Sequence, residues 1–470
     1  MNGGAMWAYE TTFYQIYPLG FCGADRVNAA PCSSVPLARS VVRDDAAPIR
    51  RIGAWAAYLK CEGFGAALLN PLFESDSHGY DTRDMTVVDR RLGSNADFAD
   101  VCAELHARGI RVVLDAVFNH VGRGFWAFQD VREHKWDSPY KDWFHISFDG
   151  NSAYDDGFWY EGWEGHYELV KLNLQNPAVV DYLLGCVKGW VDEFGIDGLR
   201  LDVAYMLDRD FMRRLHAFTR ELKQDFVLIG ETLHGDYNQI VNEEMLDSCT
   251  NYECYKGLYS SFNSQNMFEI AHSLHRQFGS DPWCIYRGKH LLSFADNHDV
   301  PRLASILTDA RCLRPAYGLL FGMSGVPCVY YGSEWGATGE KGGPDGDWAL
   351  RPAFGEPQRD GLSEFIARLA HLRSGEGAGL SETGARDVSR ALAYGGYRNV
   401  VIQNKQLLFE RTCDDVRLLV AVNAVDEAFT FDAGELSGRF VDVLADGAPT
   451  VELSGSLELA SFGVRYLLSA

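Results

Sequence analysis

The sequence predicts an α/β fold: a (β/α)8 TIM barrel, a small domain inserted after its third strand, and a C-terminal antiparallel β-sandwich. Three observations carry that reading. Apolar, β-branched runs alternate with amphipathic helical segments, the pattern of βα units around a parallel sheet. The chain has 470 residues, too many for one ordinary core but suited to a barrel of about 250 residues enlarged by insertions and an appendage. Residues 121–172 and 385–470 break the βα rhythm.

The strand candidates, in order, are FYQIYP (13–18), AALLNP (66–71), IRVVLDAV (110–117), GLRLD (198–202), FVLIGE (226–231), LLSFADN (291–297) and VPCVYYG (326–332). Between them lie well-punctuated helices. In SNADFADVCAELHARG, Ser94 caps, Phe98, Val101, Cys102 and Leu105 form the stripe, and Gly109 stops it. Asn176 and Pro177 open another helix, Val180, Leu183, Leu184, Val187 and Val191 stripe it, and Gly195 closes it before GLRLD. The eighth strand is an inference, because its best candidate, SCTNYECY (248–255), is polar and reads equally as loop.

The expected division is a barrel over 1–120 and 173–380, an inserted domain over 121–172, and the sandwich over 381–470. The insertion is rich in aromatic, Gly and Asp residues without a helical stripe; the C-terminal part reads as short alternating strands such as RLLVAVNA and RFVDVLAD. Loop 20–48 carries Cys, Pro and Ser with little periodicity, and its role is open.

Composition excludes several classes. Hydrophobic residues at 47% and charged residues at 23% suit a folded core. Forty-three basic against 65 acidic residues give a formal charge of −22, which repels nucleic acid and anionic lipid. The eleven cysteines lack zinc-site or CxxC spacing and read as reduced structural thiols. Without a signal-peptide pattern at the start or an apolar run of about 18 residues, the expected location is cytoplasmic, with no membrane span. Oligomeric state is not legible.

In a parallel barrel, reactive groups gather where strands end, so a polar residue closing an apolar strand is informative. DAVFNH supplies Asp115, Asn119 and His120; GLRLD supplies Arg200 and Asp202, two apart and therefore on one face; FVLIGE supplies Glu231; FADNHD supplies His298 and Asp299. One Arg–Asp pair alone reads as an ion pair holding the barrel. Eight polar groups at one rim would be a costly structural accident.

DAVFNH, GLRLDVAYM, VLIGETLH and FADNHD resemble, in order and spacing, the four sequence regions of the α-amylase family of retaining glycoside hydrolases (glycoside hydrolase family 13). HGYDTRDM (78–85), VKLNLQNP (170–177) and VPCVYYGSE (326–334) extend the resemblance over roughly residues 10–355. HGYDT and KLN look closest to the cyclomaltodextrinase, neopullulanase and oligosaccharide α-glucosidase branches.

The resemblance implies Asp202 as nucleophile, Glu231 as general acid and then base, and Asp299 as the third carboxylate. It makes His120 and His298 grips on sugar hydroxyls, Tyr80 the platform beneath the ring, Arg200 the partner that keeps Asp202 ionised, and Asp115 the support of Arg200. Asp347 and Arg351, in GGPDGDWALRP, would bound the non-reducing end. In FWYEGWEGHY, Trp159, Tyr160, Trp163 and Tyr167 offer stacking faces, Trp163 above all, or else packing for the inserted domain; Trp126, Trp136 and Trp143 read as scaffold.

No cofactor is required by this scheme. Asn119 matches a position that helps bind Ca2+ in relatives, but Tyr205 and Met206 stand where a Lys-His pair is common, and a thioether is no ligand for calcium. The implied activity is retaining cleavage of α-glucosidic bonds in malto-oligosaccharides, maltodextrins or cyclodextrins. A transglycosylase, a sucrose- or trehalose-converting enzyme and a non-catalytic carbohydrate-binding barrel remain alternatives.

Overall fold

The computed structural model describes residues 7–470. Eight parallel strands form one sheet in a nearly closed barrel. In chain order they are β1 (Phe13–Ile16), β2 (Ala66–Leu69), β3 (Arg111–Ala116), β4 (Gly198–Leu201), β5 (Val227–Gly230), β6 (Ser248–Cys249), β7 (Leu292–Phe294) and β8 (Val326–Tyr330). The eighth strand is thus the two-residue β6, at the start of the segment that reads ambiguously as sequence. A single parallel bridge, Thr250 to Leu292, links its end to β7. From Tyr252 the same segment is helix, capped by the Asn251 side chain.

Strand alternation sorts the core. Phe13, Ala66, Leu68, Val113, Ile229, Phe294 and Cys328 fill the barrel, whereas Leu199 and Leu201 join the larger layer between sheet and helices. Helix ends follow the sequence punctuation. Ser94 and Asp97 make a reciprocal capping box before Asn95–His106; Asn176 caps Pro177–Phe194, and Gly195 ends it in the left-handed conformation at φ 68°.

After β3 the chain leaves the barrel. His120–Gly122 pairs with His166–Lys171, which turns back on Gly162–Trp163. Although the segment shows no helical stripe in its sequence, Trp126–His134 is helical, burying Trp126, Ala127, Phe128 and Val131. Its apolar spacing is not a regular stripe, because neighbouring aromatics enclose it on several sides. Trp126 packs edge-on to Tyr140, Trp143 and Tyr182, and Phe128 packs on Phe144, Phe158 and Tyr160. Trp126 and Trp143 are scaffold, as expected. Trp136 is not buried: it is 66% exposed, touching Phe148 edge-on.

The C-terminal part opens with a second correction. Glu382–Tyr394 is a helix, so the strand reading from 385 began too early. Six antiparallel strands follow, β9 (Gly396–Ile402), β10 (Gln406–Cys413), β11 (Val416–Asn423), β12 (Phe429–Asp442), β13 (Thr450–Leu459) and β14 (Val464–Ser469), in the order β9-β10-β11-β14-β12-β13. They form one sheet whose β12 pairing shifts register between Asp432 and Ser437. Leu408, Leu419 and Leu467 share a core with Phe431, Leu457 and Leu459, so the sheet encloses an apolar interior of its own.

Loop 20–48 is anchored along the barrel flank. Asn28 donates to Glu74, the Leu37 amide to Asp84 and Ser94 to the Val42 carbonyl, while Arg43 pairs with Asp100. Among the described residues no helix is long and apolar enough to cross a membrane. All eleven cysteines are free.

Candidate active site

A cleft of about 570 Å3 opens at the C-terminal ends of the barrel strands. Tyr80, His120, Trp163, Asp202, Glu231, Asp299, Asp347 and Arg351 all line it. Arg200, Asp115 and His298 lie buried beneath this lining, and Arg200 stands opposite Asp115 in the β4–β3 register.

One guanidinium organises the acids. Arg200 Nη1 donates to Asp115 Oδ1 at 2.7 Å and to Asp202 Oδ1 at 2.8 Å, and Nη2 lies 2.9 Å from Glu231 Oε1. Three carboxyls that far apart in sequence therefore meet on a single cation. Glu231 Oε2 also accepts from the Val203 amide at 3.0 Å. That amide is aimed by a left-handed bend, φ 48° at Val203, which costs a β-branched residue about 1–3 kcal/mol.

The electrostatics follow from crowding in a dry site. Burial raises the proton affinity of Asp202 far above the carboxylate range, outweighing the opposing pull of Arg200. Burial raises Glu231 too; Arg200 opposes and the charge of Asp299 adds to the rise. Arg200 alone is thus not enough to keep both groups ionised, and the pair titrates together, holding a proton above the usual carboxyl range. Asp299 behaves oppositely. Burial disfavours its charge, but His298, with Arg351 behind it, more than compensates and holds the carboxyl far below its ordinary value.

The histidines have assignable tautomers. Asn119 Nδ2 donates to His120 Nδ1 at 3.2 Å, so the proton sits on Nε2. That atom is buried without a partner, 3.9 Å from Asp202 Oδ2, and burial lowers the ring to about 3, keeping it neutral. Gln15 Nε2 donates to His298 Nδ1 at 3.1 Å, leaving His298 Nε2–H for Asp299 Oδ2 at 2.9 Å. The Tyr80 ring lies parallel to His298, 7° between planes and 5.6 Å between centroids, and its hydroxyl donates to Asp115 at 2.9 Å.

The loop after β8 reaches the same point. Arg351 is buried, 3.2 Å from Asp299 Oδ1, and Asp347 lies 3.7 Å from Arg351 at the more exposed edge. Of Trp159, Tyr160, Trp163 and Tyr167, the cleft wall takes Trp163, 5.8 Å from His120, and His166 of the same run lines it too. Tyr160 is fully buried, donating to the Tyr167 carbonyl, and Trp159 bonds Tyr167 at the surface.

Sequence reasoning missed Gln15 and Asn70. Asn70 Nδ2 donates to Asp115 Oδ2 at 3.0 Å and its Oδ1 accepts from Gln15, joining β1, β2 and β3 beneath the cleft. The signal was present: Gln15 is a lone amide inside an apolar strand, and Asn70 closes AALLNP. Tyr205, Tyr252 and Lys341 also line the cleft.

Asn119, the residue that matches a calcium-binding position, is buried. Its amide serves His120, and the group of three His, Cys, Asp or Glu found close enough to share an ion among the described residues lies elsewhere.

Fold and cleft define a (β/α)8-barrel protein with an acid cluster at the C-terminal rim, where this architecture carries its chemistry. Residues 15–364 match the family model described as alpha amylase, catalytic domain, and the chain belongs to the alpha-amylase family. It is similar to a cyclomaltodextrinase of Geobacillus thermopakistaniensis, 31% identical over 390 residues (78% of this chain, 62% of the relative). It is similar also to an intracellular maltogenic amylase of Bacillus subtilis, 31% identical over 387 residues (80% and 63%). Among solved structures, the ligand-free cyclic alpha-maltosyl-(1→6)-maltose hydrolase from Arthrobacter globiformis matches with TM-score 0.79 and 28% identity, covering 99% of this chain and 100% of that one. The chain spans about three-fifths of the length of these two curated relatives.

Proposed function

We propose that the protein is a retaining α-glycoside hydrolase acting on short α-glucans: malto-oligosaccharides, maltodextrins or cyclodextrins. The observation that carries this reading is the single Arg200 guanidinium shared by Asp202 and Glu231 in the cleft. Its two contacts bound the separation of those carboxyl oxygens at about 8 Å, compatible with two groups acting on one glycosidic bond. Relatives named cyclomaltodextrinase and maltogenic amylase support the substrate class, and the name of the second supports a cytoplasmic site of action.

In this mechanism Asp202 attacks the anomeric carbon while Glu231 gives its proton to the leaving oxygen. The C–O bond to the leaving sugar breaks as the bond to Asp202 forms. Glu231, now ionised, takes a proton from water, whose oxygen displaces Asp202 and restores the original anomeric configuration. The raised proton affinity of the Asp202–Glu231 pair supplies the acid, and the charge of Asp299 adds to the rise at Glu231. Asp299, ionised, accepts from sugar hydroxyls, and the unpartnered Nε2–H of His120 donates to one. Tyr80 and Trp163 present ring faces, and Arg351 with Asp347 bounds the end of the pocket. No step of this mechanism needs a cofactor or a metal.

The test is turnover of maltotriose, a cyclodextrin and pullulan, with the anomer of the first product read by NMR. Asp202→Asn and Glu231→Gln are expected to lower kcat by about 10^3-fold or more, with the α-anomer appearing first. Wild-type turnover in Asp202→Asn, or initial release of the β-anomer, would overturn the reading.

A further inference from the structure

The loop that follows the helix Phe268–Phe278 brings together side chains the cleft does not use. His275 lies in the last turn of that helix, and Asp281 and Cys284 follow on the loop. His275 Nε2 is 2.8 Å from Asp281 Oδ2, and one ligand atom from each of the three residues lies within 4.8 Å of the others. This is the group of three such residues found close enough to share an ion among the described residues.

The loop is held in that shape. The amides of Cys284, Ile285 and Tyr286 donate to the carbonyls of Asp281, Arg276 and Gln277 at 3.0, 3.0 and 2.7 Å, folding it back on its helix. Gly279 occupies the pivot. A Cβ there would stand 2.9 Å from Cys284 Sγ and 3.0 Å from His275 Nδ1, so a larger residue would push sulfur and imidazole away. The Trp283 ring covers one side of His275, 5.2 Å between centroids.

We propose that His275, Asp281 and Cys284 bind one divalent transition-metal ion of the zinc type, with water completing a tetrahedron. One nitrogen, one oxygen and one sulfur ligand form a borderline-soft set, which suits Zn2+ or Co2+ and not Ca2+ or Mg2+. On binding, the Cys284 thiol releases its proton to solvent and the thiolate sulfur bonds the metal; no electron changes hands. The loop leads into β7 from its N-terminal end, whereas the cleft lies at the C-terminal ends of the strands. The ion clamps the loop to its helix outside the cleft, whose lining includes none of the three residues.

The test uses the full chain, freed of metal by chelator dialysis and titrated with Co2+, then with Zn2+ in competition. Thiolate-to-cobalt charge-transfer absorption should saturate at one ion per chain and vanish when Zn2+ is added. Cys284→Ser should abolish that absorption, and His275→Ala and Asp281→Asn should weaken binding about tenfold or more. Absence of the absorption in the wild type, or its persistence in Cys284→Ser, overturns the site and leaves an ion pair beside a thiol that donates to the His275 carbonyl. Metal-free melting of the variants alongside the wild type separates lost ligation from lost folding. Turnover of maltotriose by Cys284→Ser should equal the wild type, so this outcome and that of the catalytic proposal are read independently.

Discussion

Gln15 Nε2 stands 3.1 Å from His298 Nδ1, so an amide on the first barrel strand decides which nitrogen of a histidine after the seventh faces the cleft. With Nδ1 accepting, the proton sits on Nε2, opposite Asp299. Gln15→Leu keeps most of the volume and removes the donor. Loss of the two buried hydrogen bonds this amide makes, to His298 and to Asn70, is expected to lower kcat/KM for maltotriose about tenfold, roughly 1.4 kcal/mol. Nitrogen NMR of His298 checks the cause: a fixed Nε2–H tautomer in the wild type and a mixture in the variant.

Arg200 is expected to tolerate no substitution by lysine. Its Nη1 and Nη2 reach Asp115, Asp202 and Glu231 at once, a fork that a single ammonium cannot reproduce. Arg200→Lys keeps the charge but leaves at least one buried carboxyl without its donor, at about 3 kcal/mol or more. Activity should fall by at least about 10^2-fold, measured as kcat on maltotriose, with a lower melting temperature. Near-wild-type kcat would show that charge alone suffices.

These two cases mark what was legible in the sequence. The rim acids and histidines could be read because each closes an apolar strand, and strand alternation alone put Arg200 and Asp202 on one face. Gln15 and Asn70 were not, since their roles come from lateral neighbours in β1, β2 and β3 rather than from any local pattern. The helix Trp126–His134 escaped because aromatics from several directions bury it, erasing the one-sided stripe. β6 was legible only as an ambiguous candidate, because two residues and a bridge are too short to show a period. The His275, Asp281 and Cys284 group was invisible to a search for Cys/His spacing because its third member is an aspartate.

The inserted region should depend on Asp156. Both its oxygens pair with Arg123 at 2.8 Å, and Arg132 and Ser152 add contacts. Burial opposes its charge, yet these partners hold it down to about 2. Depression of the folded-state pKa means the stabilisation is in place above about 4 and is lost as pH falls toward about 2. Asp156→Asn is expected to cost about 2–3 kcal/mol at pH 7, with the gap from wild type narrowing between about pH 4 and pH 2. Urea unfolding followed by tryptophan fluorescence measures it, and a gap independent of pH would remove the ion pairs as its cause.

Glu334 presents the opposite sign. It is buried, its Oε1 accepts from Tyr14 at 2.6 Å and Tyr58 at 3.0 Å, and burial raises the carboxyl to about 7 despite those donors. The folded state therefore binds this proton more tightly than the unfolded chain does. The contribution of the group to stability starts to fall once pH exceeds the unfolded value near 4.5, and the full penalty is reached above about 7. Glu334→Gln keeps an oxygen for both tyrosines and carries no charge. It is expected to leave stability near pH 4.5 almost unchanged and to raise it by about 2 kcal/mol at pH 8, a shift in melting temperature of a few degrees. Melting curves at the two pH values decide the matter: an equal effect at both would mean that Glu334 is ionised in the folded protein throughout, and that its tyrosine partners, not its protonation, make its burial tolerable.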